Sequence, residues 1–344
     1  MSSVTPDPPS FSPSSNAGSA ATSQSDLSLN TSAYIPRYID IGINLTDRQY
    51  LGEYHGKKVH DPDLENVIQR AKNAGCKKLM VTGSDLKESR QALKIAEKHP
   101  GFIFSTVGVH PCSANTFDTY PNGPAAYLSE LRALATAGKS HGQIAAFGEI
   151  GLDYDRLYHA SAEVQKKYFI LQLDLAEELG LPLFLHSRAA AKDFEAILFH
   201  RLPKLKGGLV HSFTGTMEEM KSVLEAGLYL GVNGCSLKTE ENLAVVKEIP
   251  LNRLMLETDG PWCDIRPSHA SSKFLEGAPS LPKSVKKERF ALGMDQLVKG
   301  RNEPCTISHV AHVVAKLKGI SAEELCEATW KNTVDVFGLG EAGR

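Results

Sequence analysis

From Tyr38 onward, short apolar runs alternate with stretches whose apolar residues recur every three to four positions. The runs at 38–43, 78–82, 102–107, 144–147, 182–185, 208–210, 228–231 and 254–256 predict strands. The amphipathic stretches at 63–74, 86–98, 125–137, 162–179 and 217–226 predict helices between them, and two more at 305–318 and 322–337 close the chain. The punctuation agrees. Gly75, Gly180 and Gly227 follow helical stretches where a positive φ is wanted. Asp85 and Thr216 stand where N-caps belong. Strands alternating with helices require right-handed crossovers and a parallel sheet. Eight such units fit a closed (β/α)8 TIM barrel of the α/β class, whose usual size is about 250 residues. An open doubly wound sheet gives no reason for so many units in sequence. Residues 263–304 break the rhythm with Pro267, Pro279, Pro282, Pro304 and clustered Lys and Arg. They predict a long loop, usually a functional or disordered feature.

The start of the chain differs from the rest. Residues 1–33 hold eleven serines and four prolines and no Lys or Arg. Such a segment buries too little apolar surface to offset its ordering entropy. The expected organisation is a disordered Ser/Pro-rich N-terminal tail over 1–36 and a barrel domain over 37–340. The tail lacks the basic start and apolar run of a secretory signal, and Asp7 and Asp26 without arginine make a poor mitochondrial presequence.

The whole chain of 344 residues is 42% hydrophobic and 23% charged, with net charge −2. It has no apolar run of membrane-spanning length. Its near-neutral charge argues against coating nucleic acid by bulk electrostatics, though not against gripping a few phosphates locally. The six cysteines are scattered without a C-x-x-C pair, so a zinc ribbon is not supported. They read as buried free thiols of a reducing compartment. The expected location is the cytoplasm, with the nucleus as a second compartment, and neither a membrane nor an obligate protein partner is implied.

The chemistry is written at the carboxyl ends of the predicted strands, which in a parallel barrel point to the active-site face. These ends carry Asp40 and Asn44, His110, Glu149 and Asp153, His186 and Arg188, His211, and Glu257 and Asp259. Each has a bland reading alone: a histidine after a strand is more often a cap or a satisfied core residue. Together they are what an apolar core would not select, because burying such groups unpaired is costly. Two histidines converging with two carboxylates form the donor inventory of a divalent-metal hydrolase. Imidazole with carboxylate suits Zn²⁺, Mn²⁺ or Fe²⁺, while Mg²⁺ prefers oxygen.

The blocks Asp40-Ile-Gly-Ile-Asn-Leu-Thr46, Gly108-Val-His-Pro111, Gly148-Glu-Ile-Gly-Leu-Asp153, His211-Ser-Phe-Thr-Gly215, Glu257-Thr-Asp-Gly-Pro261 and Arg301-Asn-Glu-Pro304 resemble the signature blocks of the TatD family of metal-dependent deoxyribonucleases. They stand in family order and spacing from about Tyr38 to Phe337. The loop between Trp262 and Arg301, with Ser272-Lys273-Phe274, resembles the eukaryotic branch more than the bacterial one. The resemblance implies a barrel, a divalent metal centre of one or two ions and hydrolysis of DNA phosphodiesters, with single-stranded or nicked ends as substrate and 3′–5′ exonuclease or endonuclease action. By matched position, Glu149, His186, His211 and Asp259 are the implied metal ligands, with Asp259 also able to take a proton from the attacking water. His110 is implied to lie near the scissile phosphate, and Arg301 and Glu303 near the substrate. Trp262, next to a catalytic block, is a candidate to stack on a base.

Many relatives open with Asp-x-His-x-His, whereas this chain has Gly42 and Asn44 at the histidine positions. The first metal site is therefore expected to be short of nitrogen ligands and more labile, favouring Mg²⁺ or Mn²⁺ brought with substrate, with Zn²⁺ as the further option. Two other function classes compete with a nuclease. One is a hydrolase of another ester, such as aminoacyl-tRNA, against which Arg301 tilts toward a phosphate-bearing substrate. The other is a binding protein with a decayed site, against which the intact Glu149, His186, His211 and Asp259 argue.

Overall fold

A computed structural model describes residues 34–339. The expectation of a disordered tail falls almost wholly outside the described residues. Within them, eight parallel strands form one sheet in sequence order: β1 (Tyr38–Ile43), β2 (Cys76–Val81), β3 (Ile103–Val107), β4 (Ile144–Asp153), β5 (Leu183–Arg188), β6 (Gly208–Val210), β7 (Tyr229–Val232) and β8 (Leu254–Leu256). The last strand returns beside the first. There Asp259 N donates to Gly42 O (2.8 Å) and Asn44 N to Gly260 O (2.9 Å). This nearly closed barrel is the expected (β/α)8 architecture.

Seven helices carry the crossovers: α1 (Leu64–Asn73), α2 (Leu86–Lys98), α3 (Gly123–Ser140), α4 (Ala162–Leu179), α5 (Ala191–Leu198), α6 (Met217–Glu225) and α7 (Glu240–Glu248). Asp85 and Thr216 cap α2 and α6 as expected, accepting from Glu88 N and Glu219 N. The pattern overlooked α5 and α7, which at 8 and 9 residues span little more than two turns each. Yet α7 opens with a Thr239–Asn242 capping box. Two further helices, α8 (Ile307–Lys318) and α9 (Ala322–Phe337), follow the barrel, and α9 packs on β1 and β8.

The core runs through the barrel interior. Ile41, Met80, Phe104, Ala146, Phe184, Leu209 and Met255 meet there, joined by Phe337 and Leu339 from the chain end. Two local features set the site. First, β4 continues six residues past the predicted 144–147 run and bulges between Gly148 and Ile150. Gly151 permits this continuation, because a Cβ there would lie 1.9 Å from His186 O. Second, the predicted loop at 263–304 contains two short parallel strands, β9 (Lys283–Val285) and β10 (Gln296–Val298). No helix among the described residues is long and apolar enough to cross a membrane.

Candidate metal centre

Glu149, on the extended part of β4, is the hub. Its Oε1 lies 2.8 Å from His186 Nδ1 at the end of β5 and 2.6 Å from His211 Nε2 just beyond β6. His110, after β3, approaches with Nε2 at 3.4 Å. Four consecutive strands thus deliver one polar side chain each to the same point. Glu149, His211 and His110 are buried, and His186 is half-buried.

A second layer orients the rings. His186 Nε2 faces Asp153 Oδ2 at 3.2 Å, and His211 Nδ1 faces Glu257 Oε2 at 3.4 Å. Each imidazole therefore has one nitrogen toward an outer carboxylate and the other toward the Glu149 oxygen. With the outer nitrogen protonated, the inner one presents a bare lone pair, the usual arrangement of a metal-ligating histidine. Glu257 is itself fully buried and accepts from Ser212 N and Asn233 Nδ2.

The electrostatics are strained in one direction. Burial opposes charge on Glu149, but His211, His110 and His186 outweigh it and hold its carboxyl well below the usual range. Burial likewise opposes protonation of His186 and His211. Asp153 and Glu149 for His186, and Glu149 and Glu257 for His211, nonetheless hold both imidazoles above their ordinary value. Burial drives His110 down to about 3, so its ring is neutral. His110 Nδ1 accepts from Cys112 N at 3.0 Å, which leaves the ring proton on Nε2, facing the centre. Burial, with Glu257 and Glu149 nearby, raises Asp259 to about 6.

Asp259 sits just past β8 with φ +53, and Ser212 just past β6 with φ +48. Left-handed conformations at non-glycine residues cost about 1–2 kcal/mol each. At Asp259 the turn is held by Asn44 Nδ2, which donates to Asp259 Oδ1 (2.9 Å) and Gly260 O (3.1 Å). Asn44 therefore serves as a clamp on Asp259. Gly42 is equally committed, since a Cβ there would lie 2.4 Å from Glu257 Oε2 and 3.2 Å from Phe184 Cζ. The space a larger residue would take is filled by the carboxylate that orients His211. Asp40 is fully buried and accepts from Thr258 N (2.9 Å) and Thr258 Oγ1 (2.5 Å).

The residues present fit a divalent cation. Glu149, His186 and His211 form one group whose donor atoms lie within 4.8 Å of one another, and His110, Asp153 and His186 form another. Asp153 Oδ1 is buried without a hydrogen-bond partner. Around these donors stand four carboxylates, Glu149, Asp153, Glu257 and Asp259, against at most two imidazolium charges and the guanidinium of Arg156, whose Nε lies 3.7 Å from Asp153 Oδ2. Buried charge of one sign in such excess calls for a cation.

Glu149, His186, His211, His110 and Asp259 all line one cavity of about 580 Å³. Asp259 stands at its wall, outside the two tight donor groups. Trp262 lines the same cavity and is 54% exposed.

Arg301 and Glu303 do not reach the cavity. Their side chains are fully buried in an ionic cluster. Arg301 Nη1 and Nη2 donate to Asp63 (2.6 and 2.7 Å), Nη2 also donates to Glu303 (2.8 Å), and Arg70 Nε donates to Glu303 at 2.7 Å. The expectation that this pair touches substrate does not fit the geometry, because every charge is already matched within the cluster. The tilt toward a phosphate ester that rested on Arg301 goes with it. Lys273 is engaged by Glu240 (2.7 Å), while Arg188 lines the cavity and pairs with Asp155 (2.7 Å). Tyr154 donates to Asp193 and does not line the cavity.

Asp153 and Glu257 are the site residues that sequence reasoning quoted without a role. Their signal was present: Glu149, Gly151 and Asp153 follow a strand's period of two once β4 is allowed to continue. All six cysteines are free, but only Cys76, Cys305 and Cys326 are core residues. Cys235 and Cys263 line the cavity, with Cys263 Sγ 3.3 Å from Asp259 Oδ2.

Residues 39–338 match a family model described as TatD related DNase. The chain is 53% identical over 303 residues to the Deoxyribonuclease Tat-D of Schizosaccharomyces pombe, covering 88% of this chain and 96% of the relative. It is 37% identical to the 3′-5′ ssDNA/RNA exonuclease TatD of Erwinia tasmaniensis, covering 87% and 99%. The crystal structure of a hydrolase TatD family protein from Entamoeba histolytica superposes with TM-score 0.80 at 34% identity, covering 90% and 100%.

Proposed function

The chain belongs to the TatD-related DNase family, and from that membership together with the site we propose that it hydrolyses DNA phosphodiester bonds with the aid of a divalent metal ion. The observation that carries this reading is the convergence of Glu149, His186 and His211 inside a ring of carboxylates larger than the available positive charge. Glu149, His186, His211 and Asp259 would hold one or two ions, with Asp153 and Glu257 orienting the two rings. Mg²⁺ or Mn²⁺ suits the oxygen-rich side of this set, and Zn²⁺ the two imidazoles. When bound, such an ion would supply water activation and neutralisation of phosphate charge.

The rest of the work falls to the chain. Asp259, at the cavity wall beside the donor set, is placed to accept a proton from the attacking water. Asn44 holds one of its oxygens and thereby aims the other. Neutral His110 offers its Nε2 proton to a phosphate oxygen, a donor aimed where charge develops. Arg188 stands at the cavity wall as a further cation for phosphate, and Trp262 offers an indole face to an unpaired base. We read single-stranded DNA ends as the substrate on that basis. The six free thiols suit a reducing compartment, the cytoplasm or nucleus.

The test is a side-by-side assay of single-stranded DNA, RNA and an aminoacyl ester with metal-stripped protein, added Mg²⁺ or Mn²⁺, and then EDTA. Metal-dependent, EDTA-reversible cleavage of DNA is the expected result. Preferential turnover of the aminoacyl ester would overturn the reading.

A further inference from the structure

A second depression, of about 650 Å³, adjoins the metal-centre cavity. Asp47, Trp262 and Cys263 line both, so the two are continuous. Its outer wall is the insertion that carries β9 and β10. Five cations line it, Arg48, Arg266, Lys286, Lys287 and Lys299, against three carboxylates. Arg48 is paired with Glu53 (Nε to Oε2, 2.7 Å) and Arg266 with Asp264 (3.0 Å), which leaves Lys286, Lys287 and Lys299 against Asp47 and Glu288. In a chain of net charge −2, this is a local concentration of positive charge.

The placing of two lysines has no internal explanation. β9 and β10 pair in parallel with Val285 opposite Val298, and Lys299 N donates to Val285 O (2.7 Å). Lys286 and Lys299 therefore emerge side by side from the same strand ends. Both are exposed, and among the described residues neither ammonium has a carboxylate partner. Neighbouring ammonium groups repel each other, and an external anion between them removes that repulsion. At the junction with the metal centre stands Trp262, a large indole left half in water.

The geometry points to a binding groove for the part of a single-stranded DNA substrate that extends beyond the scissile bond, with Lys286, Lys287 and Lys299 on its phosphates and Trp262 stacked on the base next to the centre. This rests on the nuclease reading for the identity of the strand. Cationic groups tracking a backbone, interrupted by an aromatic platform, form the common grammar of sequence-neutral single-strand binding. An unpaired base is required for stacking, which commits the groove to single strands.

The experiment is fluorescence anisotropy of a labelled oligothymidylate with the full chain in EDTA, over a range of salt concentrations. The variant K286Q/K299Q is compared with K94Q/K98Q, which makes the same charge change on exposed positions of α2. Each phosphate neutralised on a single strand contributes about 0.7 to the slope of log K against log salt, so two lysines contribute about 1.4 and about tenfold in affinity at ordinary salt. K286Q/K299Q is expected to lose both, W262A to lose affinity with the slope kept, and K94Q/K98Q to bind as wild type. Equal losses in the two lysine variants, unchanged binding by K286Q/K299Q, no binding by the wild type, or a duplex bound as tightly as the single strand would each overturn the groove. Because the readout needs no turnover, a chain that binds the strand but cleaves no phosphodiester would sink the nuclease reading and leave the groove standing.

Discussion

The cluster of Arg70, Asp63, Arg301 and Glu303 and the cluster around Glu149 are both buried, and both draw on residues far apart in sequence. They differ in charge. In the first, two guanidinium groups meet two carboxylates through forked hydrogen bonds, and the sum is zero. Burial opposes charge on Arg301, but Asp63 and Glu303 more than restore it and raise its pKa further. In the second, four carboxylates face at most two imidazolium charges and one guanidinium, that of Arg156, and Asp259 is pushed up to about 6. A cluster that is already neutral holds loops together. One that is short of positive charge is a place for a cation.

Breaking the neutral cluster should have the largest effect. Arg301→Ala leaves Asp63 and Glu303 buried with half their cations gone, which typically costs about 3–5 kcal/mol. Denaturant unfolding should show that loss, while turnover per folded molecule stays within a few-fold of wild type. An unchanged unfolding midpoint with a raised KM for DNA would return Arg301 to the substrate site.

Next comes the metal centre. Glu149→Gln or His211→Ala should lower kcat/KM for DNA by at least about 100-fold, since even residues behind the ligands cost 10–100-fold. The same variants should lose the rise in melting temperature that Mn²⁺ gives the wild type, about 2.7 kcal/mol at a hundredfold excess over Kd. Activity within threefold of wild type under metal control would refute the assignment.

Asp259→Asn separates function from stability. The Asp259 carboxyl is raised from 3.8 to about 6 in the folded chain. Its protonated form is therefore the favoured one, and that contribution is complete below the unfolded pKa and lost as pH rises through about 6. Above that pH the buried carboxylate works against folding. Metal-free Asp259→Asn should be more stable than wild type by about 3 kcal/mol near pH 8, with the difference gone below about pH 4. Its hydrolysis should be abolished. A less stable variant at high pH would show that the carboxylate is satisfied without metal.

The smallest effect is in the pH dependence of metal binding. His186 and His211 hold their protons above the ordinary imidazole range, and an incoming cation must displace them. Mn²⁺ affinity measured by calorimetry should strengthen with rising pH, by about tenfold per unit for each proton released. A flat profile would mean that these rings are not the ligands.

Much of this molecule is written in neighbouring residues. The eight strands were legible because apolar runs, helical periodicity and Gly punctuation are local, and Glu149, His186 and His211 were legible because strand ends in a parallel barrel share one face. Even there, β4 was cut short at Phe147, since a bulge and two glycines obscure the alternation that carries on to Asp153. The partners of a buried charge are not local. Arg301 bears the same side chain whether it meets a phosphate or Asp63, and only the fold brings in a carboxylate 238 positions away. Asn44 could offer a metal its oxygen or clamp Asp259 with its nitrogen, and the closing of β8 on β1, 215 positions apart, decided for the clamp. A residue type states which bonds a side chain can make, while the barrel's closure determines which partner lies within 3 Å.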